Sequence, residues 1–373
     1  MHPATSVRLL LAGDVMTGRG IDQILPHPGS PQIHESYLHS AIDYVRLAEM
    51  QSGSALKEAY FAYPWGDALV EMNKRSPALR VINLETAVTR CDDYWHGKGI
   101  NYRMHPDNLP CLTDANIDVC TLANNHVLDW GYGGLSETLR TLRNAGLTLA
   151  GAGANDLEAS APAEIQLDGK RLLIFACAHG SSGVPPEWSA GPELPGVHLL
   201  PDLRSGSAGK LIRFIQKYSK PEDLVMVSIH WGGNWGYRIP EEQQGFAHLL
   251  VDAGVDVVCG HSSHHPKGVE IYRDRAILYG CGDLINDYEG ISGHEAYRPE
   301  LRILYSVDLD PETGALLNLE LIPFKSQKLR LCRADAEDRT WLQKTLQREY
   351  RSLGMMVEDT GSALVLSWPP PTG

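Results

Sequence analysis

The amino-acid sequence predicts an α/β layered domain. Two observations carry this: short apolar runs recur along the chain with helix-sized segments between them, and most of the runs end at a Gly, Asn, His or acidic residue. Runs of four to eight residues (roughly) rich in Val, Ile and Leu are buried strands, and strands alternating with amphipathic helices stack as layers.

The elements follow in order. Arg8–Ala12 is a strand leading into Gly13-Asp14, and the segment from His27 to Trp65 after it is irregular, with Pro28 and Pro31 followed by Tyr37, Tyr44, Tyr60, Phe61 and Tyr63. A long insertion at such a place forms a lid or a substrate wall. Leu79–Ile82 is a strand before Asn83-Leu84-Glu85, and Val119–Ala123 is a strand before Asn124-Asn125-His126. A helix is predicted over Gly134–Ala145, where Leu135, Leu139 and Leu142 share one face. Leu172–Ala176, Leu224–Ile229 and Val255–Cys259 are further strands, the last two running into His230 and Gly260-His261, with a helix over Gln244–Ala253 between them. After Leu301 the pattern becomes an antiparallel pair, Ile303–Val307 and Leu317–Ile322, around the turn Pro311-Glu312-Thr313-Gly314. A closing helix over Trp341–Leu353 and the tail Pro369-Pro370-Pro371 complete the chain.

Composition excludes several classes of function. The chain has 373 residues and is 43% hydrophobic, enough for an ordinary core. With 33 Lys+Arg against 46 Asp+Glu the formal net charge is -13, so no basic field holds a nucleic-acid backbone or an anionic membrane. The 7 cysteines are widely spaced without a Cys-x-x-Cys pair, which argues against a disulfide framework or a zinc ribbon and for small buried hydrophobes. The first apolar run starts at Val7 with no basic region ahead of it, and no signal peptide or membrane span is visible. The expected location is cytoplasmic.

Polar residues gather just past the carboxyl ends of the strands, where open α/β sheets place their sites. Gly260-His261-Ser262-Ser263-His264-His265-Pro266 packs three histidines into five residues after a strand, and His230 stands one step beyond another. Asp14, Glu85 and Asn125 occupy the same position relative to their strands. Singly each is an ordinary cap or turn residue. Together, Asp14, Glu85, Asn125, His230, His261, His264 and His265 form a mixed oxygen and nitrogen set suited to one or two divalent ions, Mn, Fe or Zn.

These motifs resemble the CapA-type, or poly-γ-glutamate synthesis, family within the calcineurin-like metallophosphoesterase superfamily. The matching residues are Gly13 to Arg19, Asn83-Leu84-Glu85, Ala123 to His126 with Asp129 and Gly131, His230-Trp231-Gly232, Gly260 to His265 with Gly268, and Ile277 to Asp283, over residues 7 to about 290. The resemblance implies a four-layer α/β/β/α sandwich, with residues 1–330 as the catalytic domain, 27–65 as its insertion, and 331–373 as a helix and tail packed on it. It matches Asn125 to the amide ligand and His126 to the histidine that assists the leaving group in phosphoesterases; His126 otherwise braces Asn125. Two positions depart from the superfamily. Met16 stands where the usual Asp-x-His has its histidine, and Glu85 stands for a bridging aspartate.

Around the metals, Arg19 either pairs with a substrate carboxylate or phosphate or ties down the insertion. His294, in the glycine-punctuated loop after Asp283, is a mobile acid or base, or a plain exposed histidine. A divalent ion polarises a carbonyl or phosphoryl oxygen and acidifies water. The expectation is therefore a metal-dependent enzyme acting on a peptide, amide or small amino-acid carboxyl substrate, by hydrolysis or Cα epimerisation. The alternatives are a phosphoester hydrolase and a non-catalytic binding module.

Overall fold

In the computed structural model, which describes residues 6–56 and 59–369, the chain builds half of one sheet, crosses to a second, and returns. Pro370 and Pro371 of the tail, and residues 57 and 58 of the insertion, lie outside the described residues. The first strand, β1 (Val7–Val15), is followed by helices α1 (Ile42–Ser52) and α2 (Asp67–Arg75), then by β2 (Leu79–Leu84), β3 (Val119–Thr121), helix α3 (Gly131–Asn144) and β4 (Thr148–Ala150). β1 to β4 pair in parallel, each with the next. Every residue of β2 is buried, Arg80 and Asn83 included, which is why its apolar residues Leu79, Val81, Ile82 and Leu84 do not follow a strict alternation.

The second sheet starts with β5 (Ala163–Leu167) and β6 (Lys170–His179), an antiparallel hairpin, and continues through β7 (Leu199–Leu200), β8 (Leu224–His230), β9 (Val257–His261), β10 (Val269–Tyr272) and β11 (Arg275–Leu278). Its spatial order is β7-β6-β8-β9-β11-β10, with β5 on β6. Helices α4 (Ser205–Tyr218) and α5 (Glu241–Asp252) cover one face. Leu173, Phe175 and Cys177 of β6 pack with Leu211 and Ile215 of α4, while their neighbours Leu172, Ile174 and Ala176 join the core of the first sheet. The period of two along β6 thus divides one strand between two cores.

The chain then returns as β12 (Asp283–Ile285), parallel to β1, and β13 (Leu301–Leu309), antiparallel to it. β14 (Leu316–Gln327) pairs antiparallel with β13, as the turn residues predict. β15 (Arg330–Arg333), helix α6 (Ala336–Tyr350), β16 (Met356–Asp359) and β17 (Leu364–Ser367) close the chain.

Two expectations change. The C-terminal segment is more than a helix and tail: β15 and β17 hydrogen-bond to β14, so the boundary at 330 cuts through a strand of the first sheet. The insertion contains α1, and its Glu35 and Tyr44 are buried, because they pair with a charge beneath them. Helices α2 and α4 have no counterpart in the sequence reading. Among the described residues, no helix is long and apolar enough to cross a membrane.

Candidate metal centre

The centre lies where β1, β2, β8 and β9 end. Gly13 has no room for a β-carbon, which would collide with the Gly282 carbonyl oxygen, and this close approach sets Asp14 beside Asp283 as Cα partners. In the second sheet, register places His230 opposite His261. The ends of the two sheets meet here: Asp14 Oδ1 is 4.0 Å from His230 Nδ1 and 3.7 Å from His261 Nδ1. The two imidazole nitrogens approach to 2.7 Å. Asp14, His230 and His261 are all buried, and one donor atom from each lies within 4.8 Å of the others.

Neighbours orient these groups. Asn83 donates to Asp14 Oδ1 at 2.7 Å, and the Ser262 N–H donates to Asp14 Oδ2 at 3.1 Å. Ser262 does so from a left-handed backbone at φ 106, strain held at the turn that follows His261. Ser228 Oγ contacts His261 Nε2 at 2.7 Å, which leaves Nδ1 facing Asp14. A second grouping shares His230: its Nε2 is 2.9 Å from Asn125 Oδ1 and 3.9 Å from Glu85 Oε1.

The electrostatics suit a cation. Burial and the Asp283 charge raise the Asp14 carboxyl to about 7, and burial with the Asp14 charge holds Glu85 well above the carboxylate range. Burial pushes His261 down to about 3 and His230 well below its usual value, so both imidazoles are neutral with lone pairs to offer. Buried carboxylates that repel one another beside neutral imidazoles are what a divalent ion relieves, and the donor set fits one.

The remaining histidines divide. His264 Nδ1 lies 2.9 Å from Asp283 Oδ1; burial lowers its pKa, but the Asp283 charge and hydrogen bond outweigh this and raise it. Its Nε2 is the uncommitted nitrogen. Asp283 in turn accepts from Asn286 at 2.6 Å. His265 differs from the expectation. Its Nε2 accepts from the Gly236 N–H at 3.1 Å and its Nδ1 lies 3.0 Å from the Pro266 carbonyl oxygen, so both nitrogens are spent on backbone and neither reaches the centre. The ring packs among Trp235, Tyr237 and Tyr297 instead.

His126 stands across from Glu85, Nε2 to Oε1 3.7 Å. Its Nδ1 meets Asp129 Oδ2 at 2.6 Å and Lys98 Nζ at 2.9 Å, and Lys98 bonds Asp129 Oδ1 at 2.5 Å. Burial lowers the His126 pKa to about 4 despite Asp129. Arg19 does not point to a substrate: its guanidinium is buried, bonds Asp287 Oδ1 at 2.5 Å and Glu35 Oε1 at 2.7 Å, and lies between the Tyr44 and Tyr102 rings. It ties the insertion to the loop after β12. His294 is exposed and stacks on Trp235 at 3.9 Å, and Trp235 in turn lies 5.4 Å from the His264 ring, so His294 sits on the rim. Met16 is buried, its sulfur 3.9 Å from the Tyr288 hydroxyl, and brings no oxygen or nitrogen donor.

Sequence reasoning left Asn83, Lys98 and Asp283 out of the site. Asn83 and Asp283 lay inside motifs already quoted, each at a strand end. Lys98 sits in a loop with no pattern, and nothing local marks it.

Residues 8–288 match the model of the bacterial capsule synthesis protein family PGA_cap. A probable polyglutamine synthesis accessory protein of Mycobacterium tuberculosis is 46% identical over 94% of the chain and 93% of its own length. The capsule biosynthesis protein CapA of Bacillus anthracis is 26% identical over 75% of the chain and 59% of its own length. The PGA biosynthesis protein CapA of Bacillus subtilis is 29% identical over 55% of the chain and 52% of its own length.

Proposed function

Because the chain belongs to the bacterial capsule synthesis protein family PGA_cap, we propose that it is a divalent-metal-dependent enzyme that hydrolyses an amide bond in a glutamate-containing polymer or peptide. The observation that carries this reading is the convergence of Asp14 Oδ1, His230 Nδ1 and His261 Nδ1, all buried. On the same reading the two sheets and their helices form the four-layer α/β/β/α sandwich of the calcineurin-like metallophosphatases, and the protein works in the cytoplasm.

Asp14, His230 and His261 would hold one ion, with Glu85 and Asn125 beside them for a second, and His264 joining through Nε2. The ion, Mn, Fe or Zn, would polarise the scissile carbonyl and acidify water. The chain's own residues manage the proton. Asp129 and Lys98 hold the His126 ring by its Nδ1, and burial keeps the ring neutral, so Nε2 is the atom that takes a proton from the attacking water and then returns it to the departing amine. Met16 in place of a nitrogen donor weighs against routine phosphoester hydrolysis.

A second reading, Cα epimerisation, draws support from two imidazole–carboxylate pairs, His126–Asp129 and His264–Asp283, as paired bases. The test is to load the protein with Mn, Fe or Zn and incubate it with poly-γ-glutamate, short glutamyl peptides and a phosphodiester in deuterated water. EDTA-sensitive release of glutamyl fragments is expected; deuterium at Cα without cleavage selects epimerisation. Phosphodiester turnover alone, or no bound metal and no turnover, overturns the proposal in favour of a phosphoesterase or a binding module.

A further inference from the structure

Behind His264 lies a cavity of about 480 Å³, lined in part by Tyr288, Ser292, Arg298, Arg302, Lys325 and Ser326. That is room for a small ligand. Tyr288 is its shared wall with the metal centre, because the Tyr288 ring stands edge-on to His264 with centroids 5.2 Å apart. Arg302 comes from β13 and its side chain is 1% exposed. Its Nη2 donates to Asn286 Oδ1 at 2.6 Å, yet Nε and Nη1 have no hydrogen-bond partner among the described residues. The carboxylate facing it, Asp283 Oδ2, is 3.9 Å from Nη1 and is already taken by Asn286 and His264. A buried guanidinium with two idle donors is costly unless something else accepts from it.

The other cations of the lining are committed. Arg298 pairs with Glu300 and Asp338, and Lys325 with Asp338 at 3.3 Å. Glu289, Glu295 and Glu300 also line the cavity and offset its positive charge. A nearly balanced cavity with one guanidinium that keeps two idle donors suits a monoanion and disfavours a dianionic phosphate.

We infer that this cavity is a carboxylate-binding subsite of the same active site, in which Arg302 receives one carboxylate of the substrate. The inference rests on the amide-directed reading above and deepens it: a chain bearing free carboxylates would be held at Arg302 while a neighbouring amide reaches the metal centre past Tyr288.

The test uses the full chain freed of metal by EDTA, so that binding is read apart from turnover. Calorimetric titration with N-acetyl-L-glutamine, a monocarboxylate, is compared with its carboxamide, in which only the charge and one oxygen are lost. The acid is expected to bind at least about tenfold tighter than the amide. Arg302→Gln and Ser292→Trp, the latter obstructing the cavity from an exposed position, should each weaken the acid by a similar factor. If Arg302→Gln does not fold, Ser292→Trp decides. Equal binding of acid and amide, undiminished binding by Ser292→Trp, displacement of the acid by equimolar inorganic phosphate, or binding only when a divalent metal is restored would each overturn the subsite. Carboxylate binding without amide turnover would leave the subsite standing and remove the catalytic reading.

Discussion

Asp283 stands beside Asp14 as its Cα partner on a parallel neighbouring strand, and it holds His264 Nδ1 at 2.9 Å. A carboxylate behind an imidazole sets the ring's orientation and basicity, and losing it typically weakens metal binding about 10- to 100-fold. Asp283→Asn should therefore lower Mn or Zn affinity by that factor, measured by competition with a chromophoric chelator. Affinity within twofold of wild type would show that His264 is no ligand.

His261 and His265 are separated by four positions and are expected to behave oppositely. His261→Ala should strip bound metal, measured by elemental analysis. His265→Ala should keep the metal stoichiometry and cost about 1 kcal/mol through its lost aromatic contacts, measured by urea unfolding. Metal loss in His265→Ala would return that residue to the ligand set.

Metal uptake should depend on pH in a stated direction. The Asp14 carboxyl, raised to about 7 by burial and Asp283, is protonated below that pH and must lose its proton to bind a cation. Affinity should rise with pH up to about 7, with proton release on binding, and Glu85, held well above the carboxylate range by burial and the Asp14 charge, should add to that release. His261, lowered to about 3, is already neutral and adds nothing in this range. Calorimetry in buffers of different ionisation enthalpy counts the protons; uptake of protons, or none, at pH 6 would contradict the assignment.

Lys98 positions His126 through Nδ1 and Asp129. Lys98→Met should reduce kcat about 10- to 100-fold with metal content unchanged, since general acid–base assistance is worth about 10²- to 10⁴-fold and His126 itself remains. A change in KM alone would assign Lys98 to substrate binding.

Arg19 neutralises two buried carboxylates, Asp287 and Glu35. Arg19→Met removes the counter-charge of both, leaving Asp287 only the Gly20 N–H and Glu35 only the Tyr44 hydroxyl as donors, and should destabilise the fold by about 3–5 kcal/mol, read from urea unfolding. Full stability with lost activity would instead place Arg19 at the substrate.

The strand runs, the α/β class and the motifs at strand ends were legible because burial on both faces writes a continuous apolar run, and because the residue after a strand is a local feature. For the same reason Asp14, Glu85, Asn125, His230 and His261 could be named from the chain alone. Local pattern could not separate His261 from His265. That depends on which nitrogens the backbone at Gly236 and Pro266 already occupies, and Gly236 is distant from His265 in sequence. Nor could it show that Arg19 is consumed by Asp287, 268 positions away. The strands at Met356–Asp359 and Leu364–Ser367 were hidden for a similar reason: they are an edge whose burial comes from α6 and from β14, not from their own composition. The sequence by itself determined which residues carry ligand-type side chains and where the strands deliver them. Only the tertiary structure decided which donor atoms remain free, because each is claimed or released by a partner that folding brings from elsewhere in the chain.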